Sequence, residues 1–554
     1  MAFLRIEEKG GERYLRICKT ARYGKTVKQT TLQSLGSLSS WSPEKLRAIG
    51  KQFCQLGGET LSDLAAVPCS ELGRYNYGFP LIICHLFHVY DLDNLFRRLT
   101  KTHKLNYSLR DAVVLMLCNR WHSPASKQRI FDQQADYIGL PRQEQQWLYR
   151  TLDKLAASEV ALQTHLFHQN RKLFKTAIDV VFYDVTTFYF DSEVEIPGAL
   201  RQKGFGKDGK IGKTQVLLGL LLDKERNPVA YELYTGDTYE GHTLTEGLKQ
   251  LRRRYKIDNV IVVADSGMLN KDNLAAIKAA DYEYIVGDRL KNLPKNVQTQ
   301  LLDRNQYKTL TLANPHDPTE PFAIQYHTIK YKDRTILCTY SDRRARKDRH
   351  AREDKLAKAH KMLKTPANIS KKAKTFFLKP QTIATDTGAE TTDTTQITYV
   401  LDTERIDRAA QFDGFKAIAT SHPNLSPQTC LEHYKQLYLI EQSFRTFKSF
   451  LETRPMFHWT DSRIRGHFAL CFLSFCLLNY LQQTIKKQNF PHSEQDIRNT
   501  LSQMQISKLI QHDQIFFLPA TLDKSATQVL ETLGLKPLPN FATPNPKIKY
   551  LAFL

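Results

Sequence analysis

The sequence predicts a mixed α/β protein whose central sheet is assembled from two separated stretches of chain. Three observations carry that reading. Residues 173–290 alternate strand-like and helix-like runs, residues 411–485 resume the alternation, and residues 291–410 between them change character. Short β-branched and aromatic runs read as buried strands, and apolar residues at helical spacing read as packed helices. A chain of 554 residues also exceeds what one core supports, so about three or more domains are expected.

Composition narrows the function classes. Hydrophobic content of 41% with 10% aromatic is that of a globular chain. The net charge of +22 favours a polyanionic partner, nucleic acid before membrane, because counterion release drives such binding. Nine cysteines include no CxxC pair, which suggests reduced thiols and a cytoplasmic location. The N-terminal MAFLRIEEKGG has no signal-peptide core, and the apolar run Phe468–Leu478 is too short to cross a bilayer. The expectation is a soluble protein with no membrane partner.

Residues 1–40 alternate in polarity around Gly10-Gly11 and predict a hairpin plus a third strand. Arg5, Arg13, Arg16, Lys19, Arg22, Lys25 and Lys28 fall on it. A basic ribbon suits a DNA groove or backbone, and equally the solvated face of a small sheet. Residues 41–172 look helical: Ser42-Pro43 starts one helix, Leu81–Leu99, Ser108–Arg120 and Leu148–Lys172 are periodic, and Ser123–Ile130 gives a capped basic start. This block is a candidate DNA-binding domain of helix-turn-helix type or a scaffolding bundle.

In residues 173–290, Ile178–Phe190 reads as a first strand, and Gln215–Asp223 with Val229–Thr235 as a hairpin. Val260–Asp265 follows as a strand, Lys271–Ala280 as a helix and Tyr282–Gly287 as another strand. The loop Gly206–Thr214 looks like a phosphate-binding loop, but its spacing is one residue too long and a strand follows it. An anion cradle needs a helix N-terminus there, so an ATPase is excluded. Residues 291–410 mix short β-like runs with the charged helical run Ser341–Lys364, a candidate grip on a DNA backbone, and with a Thr/Lys-rich loop, Thr365–Thr395. Residues 411–485 contribute strand Phe415–Thr420, helix Pro427–Glu452, ended by Arg454-Pro455, and apolar helix Gly466–Gln483. Residues 486–554 read as helix, loop and Pro-rich tail.

Chemistry concentrates in three places. Asp184 ends IDVVFYD and Asp265 ends VIVVAD, two buried-strand runs. A carboxylate there costs several kcal/mol to desolvate unless it is paired or binds a cation. Glu441 lies within YKQLYLIEQSFRTFK, where Tyr434, Glu441, Arg445 and Lys448 are spaced by seven, four and three residues. At about 100° per residue they form one stripe of a continuous helix, opposite Leu437, Ile440, Phe444, Phe447 and Leu451. Three carboxylates in a basic chain suit hard divalent cations, which prefer oxygen ligands.

These blocks together resemble the DDE transposases of bacterial insertion sequences, in the branch with a β-rich insertion between the second Asp and the Glu. That branch's signature is Tyr, two residues, Arg, three residues, Glu, six residues, Lys. Tyr434, Glu441 and Lys448 match it, and Leu437 stands at the Arg position, so Arg445 or another cation would make that phosphate contact. FYDVTTFYF, VVADSGMLN, FDGFKAIATSHP and RPMFHWTDSRIRGHFALCFLSF are similar to the family's blocks. The resemblance implies a ribonuclease H-like (retroviral-integrase-like) core and a metal-binding catalytic triad of Asp184, Asp265 and Glu441. It implies Mg²⁺, with Mn²⁺ substituting, as two ions about 3.5–4 Å apart. It further implies DNA contacts from Tyr434, Arg445 and Lys448, cleavage at terminal inverted repeats and strand transfer by a homodimer. A Mg²⁺ nuclease of the same fold without strand transfer, and a non-enzymatic DNA-binding protein, are the alternatives.

Overall fold

The computed structural model describes residues 2–23, 26–57, 69–175, 177–204, 212–312, 321–364, 373–383, 396–488, 493–511 and 514–539. The phosphate-loop look-alike lies mostly outside the described residues, as do Lys25, most of Thr365–Thr395 and the end of the C-terminal tail. The chain divides into two compact units.

The smaller unit takes the N-terminal 74 residues with a segment from near the C-terminus. Strands β1 (Ala2–Lys9), β2 (Glu12–Tyr23) and β3 (Thr26–Ser37) form an antiparallel sheet. Lys9 pairs with Glu12 across Gly10-Gly11, whose φ angles of 64° and 81° are those a two-residue hairpin turn demands. Arg5, Arg13, Lys19 and Lys28 are exposed on it, while Arg16 pairs with Glu7 at 2.8 Å. Helix α1 (Pro43–Leu56) starts at Ser42, whose hydroxyl accepts from the Lys45 amide. Strand β4 (Ser70–Asn76) joins Gln505–Gln511 and Gln514–Pro519 in a second three-stranded sheet. The sequence reading has no strands in this tail.

The larger unit opens with helices α2 (Gly78–Val89), α3 (Leu92–Thr102), α4 (Leu109–His122), α5 (Lys127–Gln133), α6 (Gln145–Ala157) and α7 (Glu159–Phe174). The sheet that follows is built on β5 (Val180–Tyr189). Strands β6 (Gln202–Lys203), β7 (Thr214–Asp223) and β8 (Pro228–Thr235) lie to one side, in the antiparallel order β8-β7-β5. Helix α8 (Thr243–Tyr255), absent from the sequence reading, leads to β9 (Ile261–Ala264), which pairs parallel with β5. Helix α9 (Lys271–Ala279) crosses to β10 (Glu283–Asp288), parallel to β9. Three antiparallel strands followed by a parallel crossover are consistent with the ribonuclease H-like core.

The intervening residues do not separate cleanly from that core. After α10 (Lys295–Leu302) come β11 (Lys308–Leu312), β12 (Phe322–Tyr331) and β13 (Arg334–Tyr340), which extend the same sheet. Helix α11 (Asp342–Leu363), the two-stranded sheet β14 (Leu378–Ile383) and β15 (Gln396–Leu401), and α12 (Thr403–Ala410) stand apart from it. Strand β16 (Phe415–Thr420) pairs with both β10 and β13, so it welds the insertion's strands to the core.

The sequence predicts one helix over 427–452, and the structure has three pieces. They are α13 (Pro427–Lys435), α14 (Tyr438–Arg445) and a π-helical segment, Thr446–Phe450. Between the first two, Leu439 bonds Gln436 and Ile440 bonds Leu437 in tighter three-residue steps. Further on, the Ser443 and Thr446 hydroxyls bond back to Leu439 and Gln442, and Arg226 from the β7–β8 turn reaches both hydroxyls. The Leu451 amide then bonds Thr446, a five-residue step. Helix α15 (Asp461–Lys486) packs on α4, α6, α7 and β8. It is long and apolar enough to span a bilayer, but 83% of its apolar stretch is buried within the protein. It crosses α6 at Gly466, where a Cβ would meet the Leu152 carbonyl at 1.9 Å. Helix α16 (Glu494–Gln503) follows, with a reciprocal Ser493–Asp496 cap.

Candidate active site

Strand β5 supplies the first carboxylate. From Val180 to Phe188 every residue is buried except Asp184, which is half-buried and accepts the Val185 amide at 2.7 Å. Val181, Tyr183 and Val185 belong to a core cluster, so by strand alternation Asp184 faces the other side of the sheet, with Phe182 and Phe188.

Asp265 follows β9 with extended backbone (φ −75°, ψ 168°). An aspartate at a strand end commonly caps the next turn, but the Asp265 side chain caps nothing in the turn Ser266–Met268. The Tyr434 hydroxyl donates to its Oδ1 at 3.5 Å instead. Tyr183 on β5 pairs with Ala264 on β9, so Asp184 and Asp265 are the next residues along adjacent parallel strands, which run about 4.8 Å apart.

Tyr434 sits on α13, which packs on β9 and β10. Its ring is buried, and its hydroxyl occupies the space above Gly287, where a Cβ would lie 2.4 Å from it. Burial first, and Asp265 second, raise the phenol well above its usual range. Glu441 is exposed on α14, which packs on β5. Lys416 on β16 links the parts: its ammonium is 4.5 Å from the Tyr434 ring centroid, and Asp265 and Glu441 both act on it electrostatically. Its pKa is lowered by desolvation and then by Arg344, against the pull of those two carboxylates.

Beside Asp265 opens a cleft of about 500 Å³, walled by Tyr434, Lys416, Asp288 and, from α11, Arg344, Arg352 and Lys355. Its charges are largely matched. Arg334 holds Asp288 at 3.1 Å, Arg344 holds Asp348 at 3.4 Å, and Arg352 pairs with Asp413. Among the described residues, no three Asp, Glu, His or Cys side chains are gathered closely enough to hold a metal ion. The donors are of the right chemistry, all oxygen, and the strand register brings two of them to neighbouring positions.

Residues 175–477, more than half of the chain, match the family described as transposase DDE domain. The chain belongs to that family. Among solved structures it is similar to a piggyBac transposase synaptic complex with hairpin DNA, at 7% identity and a TM-score of 0.36, over 76% of this chain and 79% of that one. It is also similar to a Mos1 transposase paired-end complex with the left transposon end (13% identity, TM-score 0.15, 31% and 57% of the chains). A Mos1 mariner paired-end complex with Mn gives 14%, 0.14, 29% and 54%. No curated protein matches the chain.

Within the transposase domain, the remaining signature residues diverge from the expected stripe. Leu437 is half-buried at the tightened turn between α13 and α14. Arg445 is exposed and lines a cleft of about 580 Å³ with Arg226, Glu494 and Arg498. The Lys448 ammonium, in the π segment, stands 5.7 Å from the Phe188 ring centroid on the Asp184 face of β5. Tyr434 is a wall of the Asp265 cleft, so it is not displayed on a common stripe with Arg445. The stripe is lost because a break and a π turn each reset the angular phase that a regular helix would keep. Lys416 escapes the sequence reading, although it lies in the block FDGFKAIATSHP. A lysine interrupting an apolar strand run is the signal that would have found it.

Proposed function

We propose that the protein is a DDE transposase that cuts DNA at the ends of a bacterial insertion sequence and transfers those ends into target DNA. The observation that carries the reading is the register of β5 and β9, which makes Asp184 and Asp265 neighbours on adjacent parallel strands. Asp184, Asp265 and Glu441 would hold the divalent ions, Mg²⁺ by preference for oxygen donors, with Mn²⁺ as a substitute. Bound there, two ions supply an activated oxygen nucleophile and charge neutralisation for in-line displacement at a phosphodiester.

The protein's own residues do the rest by positioning. Tyr434 fixes the direction of the Asp265 carboxylate through its hydroxyl, and Gly287 leaves room for that hydroxyl. Lys416 puts positive charge within electrostatic reach of both Asp265 and Glu441. Lys448 and Arg445 offer cations to strand phosphates, and the excess of positive charge draws DNA to the surface. We place the reaction in the cytoplasm, on the nucleoid, with two copies of the chain bound to paired ends.

Asp184→Asn keeps the side-chain shape and removes the charge. The expected result is loss of Mg²⁺-dependent nicking of an end-bearing duplex with DNA binding nearly intact; nicking at the wild-type rate would end the triad assignment. The separation of the carboxylates favours one other reading, a DNA-binding protein without catalysis. Absence of any divalent-dependent nicking by the folded wild-type chain would select it.

A further inference from the structure

A second cavity lies on the larger unit, outside the residues assigned so far. It encloses about 370 Å³ between the start of α5, the chain at 452–458 and the first turns of α15. Lys127 lines it and is only 3% exposed. Among the described residues its ammonium has neither a hydrogen-bond acceptor nor an ion-pair partner. Arg120 stands beside it, 4% exposed, donating from Nη1 to the Leu451 carbonyl at 2.9 Å and keeping a buried Nε without a partner. His467 offers a buried, unpartnered Nδ1, and Thr453 a buried, unpartnered hydroxyl. His458 packs 5.2 Å from His467, ring to ring.

Among the described residues, no carboxylate on the walls is paired with Lys127 or Arg120. Glu452 is the one acidic lining residue among those described; it is exposed, and Arg498 is among the cations that feel its charge. Lys127, Arg120 and Arg463 are the charged groups acting most on His458, and Arg120 and Lys127 act on His467 as well; among the described residues no carboxylate is a leading influence on either. Burying a cation without a counter-charge costs several kcal/mol, so a ligand that brings the negative charge is the economical reason to keep one. The donors also suit one kind of ligand. An ammonium and a guanidinium side by side, with a threonine hydroxyl on the same lining, are the donor chemistry an oxyanion takes.

We propose that this cavity is an anion site that takes a phosphate group from the backbone of a DNA strand. The wall at 452–458 is tied to the strand that carries Asp184. The Met456 amide donates to the Tyr189 carbonyl at 3.3 Å, and Arg454 lies 5.6 Å from the Tyr189 ring centroid. Tyr189 is five residues beyond Asp184 on β5, roughly 16 Å along an extended strand, so the cavity lies within a few nucleotides of that carboxylate. The site itself stands on the cavity's own geometry; only its assignment to a DNA strand rests on the function proposed above.

The test uses the full chain, with Lys127→Met as the main variant and His458→Gln as the second. Removing an uncompensated buried charge should leave the Lys127→Met chain at least as stable as wild type, so misfolding does not mimic the result. Inorganic phosphate should raise the melting temperature of wild type and not that of Lys127→Met. An equal rise in both, or none in wild type, overturns the site. Binding to a fluorescent duplex with a single-stranded overhang is measured in the Asp184→Asn background, where cleavage plays no part. Loss of one charge-assisted contact predicts affinity lower by about tenfold for Lys127→Met and less for His458→Gln. Unchanged DNA affinity together with lost phosphate binding overturns the strand assignment and gives the site to a free phosphate.

Discussion

The Asp265 cleft and the Lys127 cavity are both rich in basic side chains, yet they solve the charge problem in opposite ways. In the first, Asp288, Asp348 and Asp413 each meet an arginine, and Lys416 lies within reach of Asp265 and Glu441. In the second, Lys127 and Arg120 are buried and, among the described residues, no carboxylate meets them. A matched site tolerates ions of either sign nearby. An unmatched one is stable only at a cost that a bound anion removes. Charge counts along a sequence therefore say little about a site until burial and pairing are known.

The comparison is tested most severely at the carboxylates. Asp265→Asn, like Asp184→Asn, should lower DNA nicking by about 10²-fold or more, the scale of losing one charged group aimed at the reacting phosphate, while DNA binding changes by less than about twofold. Gel assays of nicking and anisotropy of labelled DNA separate the two. Equal loss of both would make the carboxylates structural. Next in size is Gly287→Ala, whose methyl would meet the Tyr434 hydroxyl. Overpacking of this kind costs about 1–3 kcal/mol in denaturant unfolding, and the displaced Tyr434 should take nicking down with it. Stability lost without activity lost would free Asp265 from Tyr434.

The Lys127 cavity gives a pH signature. Burial, with Arg120 adding to it, pushes the Lys127 ammonium down to about 7. A lysine whose pKa is lower in the folded chain makes the unfolded chain the stronger proton binder above that value. Stability should therefore rise as pH climbs from about 7 towards the ordinary lysine range, and fall as pH drops back through that range until it levels off below about 7. The neighbours that face it, Arg120, His458, His467 and Cys471, are shared with Lys127→Met, so the difference between the two unfolding curves isolates this group. A difference that is flat from pH 7 to 9 would mean the ammonium is solvated or paired. The smallest effect belongs to Tyr434→Phe, which removes one long hydrogen bond. Stability should change by less than about 1 kcal/mol, with nicking reduced several-fold.

The strands and their acids, Asp184 in the middle of β5 and Asp265 just after β9, were legible because a buried strand announces itself locally. IDVVFYD and VIVVAD carry both the apolar run and the charge that interrupts it. The helix at 427–452 was not, because helical periodicity reports only an average phase. Its break and π turn depend on Ser443, Thr446 and Arg226, the last more than 200 residues away in sequence. The cavity was half visible: SPASKQRI read as a capped basic helix start and RPMFHWTD as part of a block similar to the family's, but nothing in either says that they meet.

The amino-acid sequence by itself determined the alternating core, the positions of Asp184, Asp265 and Glu441, the basic charge and the family, since each of these is a property of local pattern. It took the folded chain to show that β11–β13 extend the core sheet, that the Tyr434 hydroxyl bonds Asp265, and that Lys127 is buried. Those outcomes depend on which distant surfaces touch, and contact between residues hundreds of positions apart is set by packing of the whole fold, which no local spacing encodes.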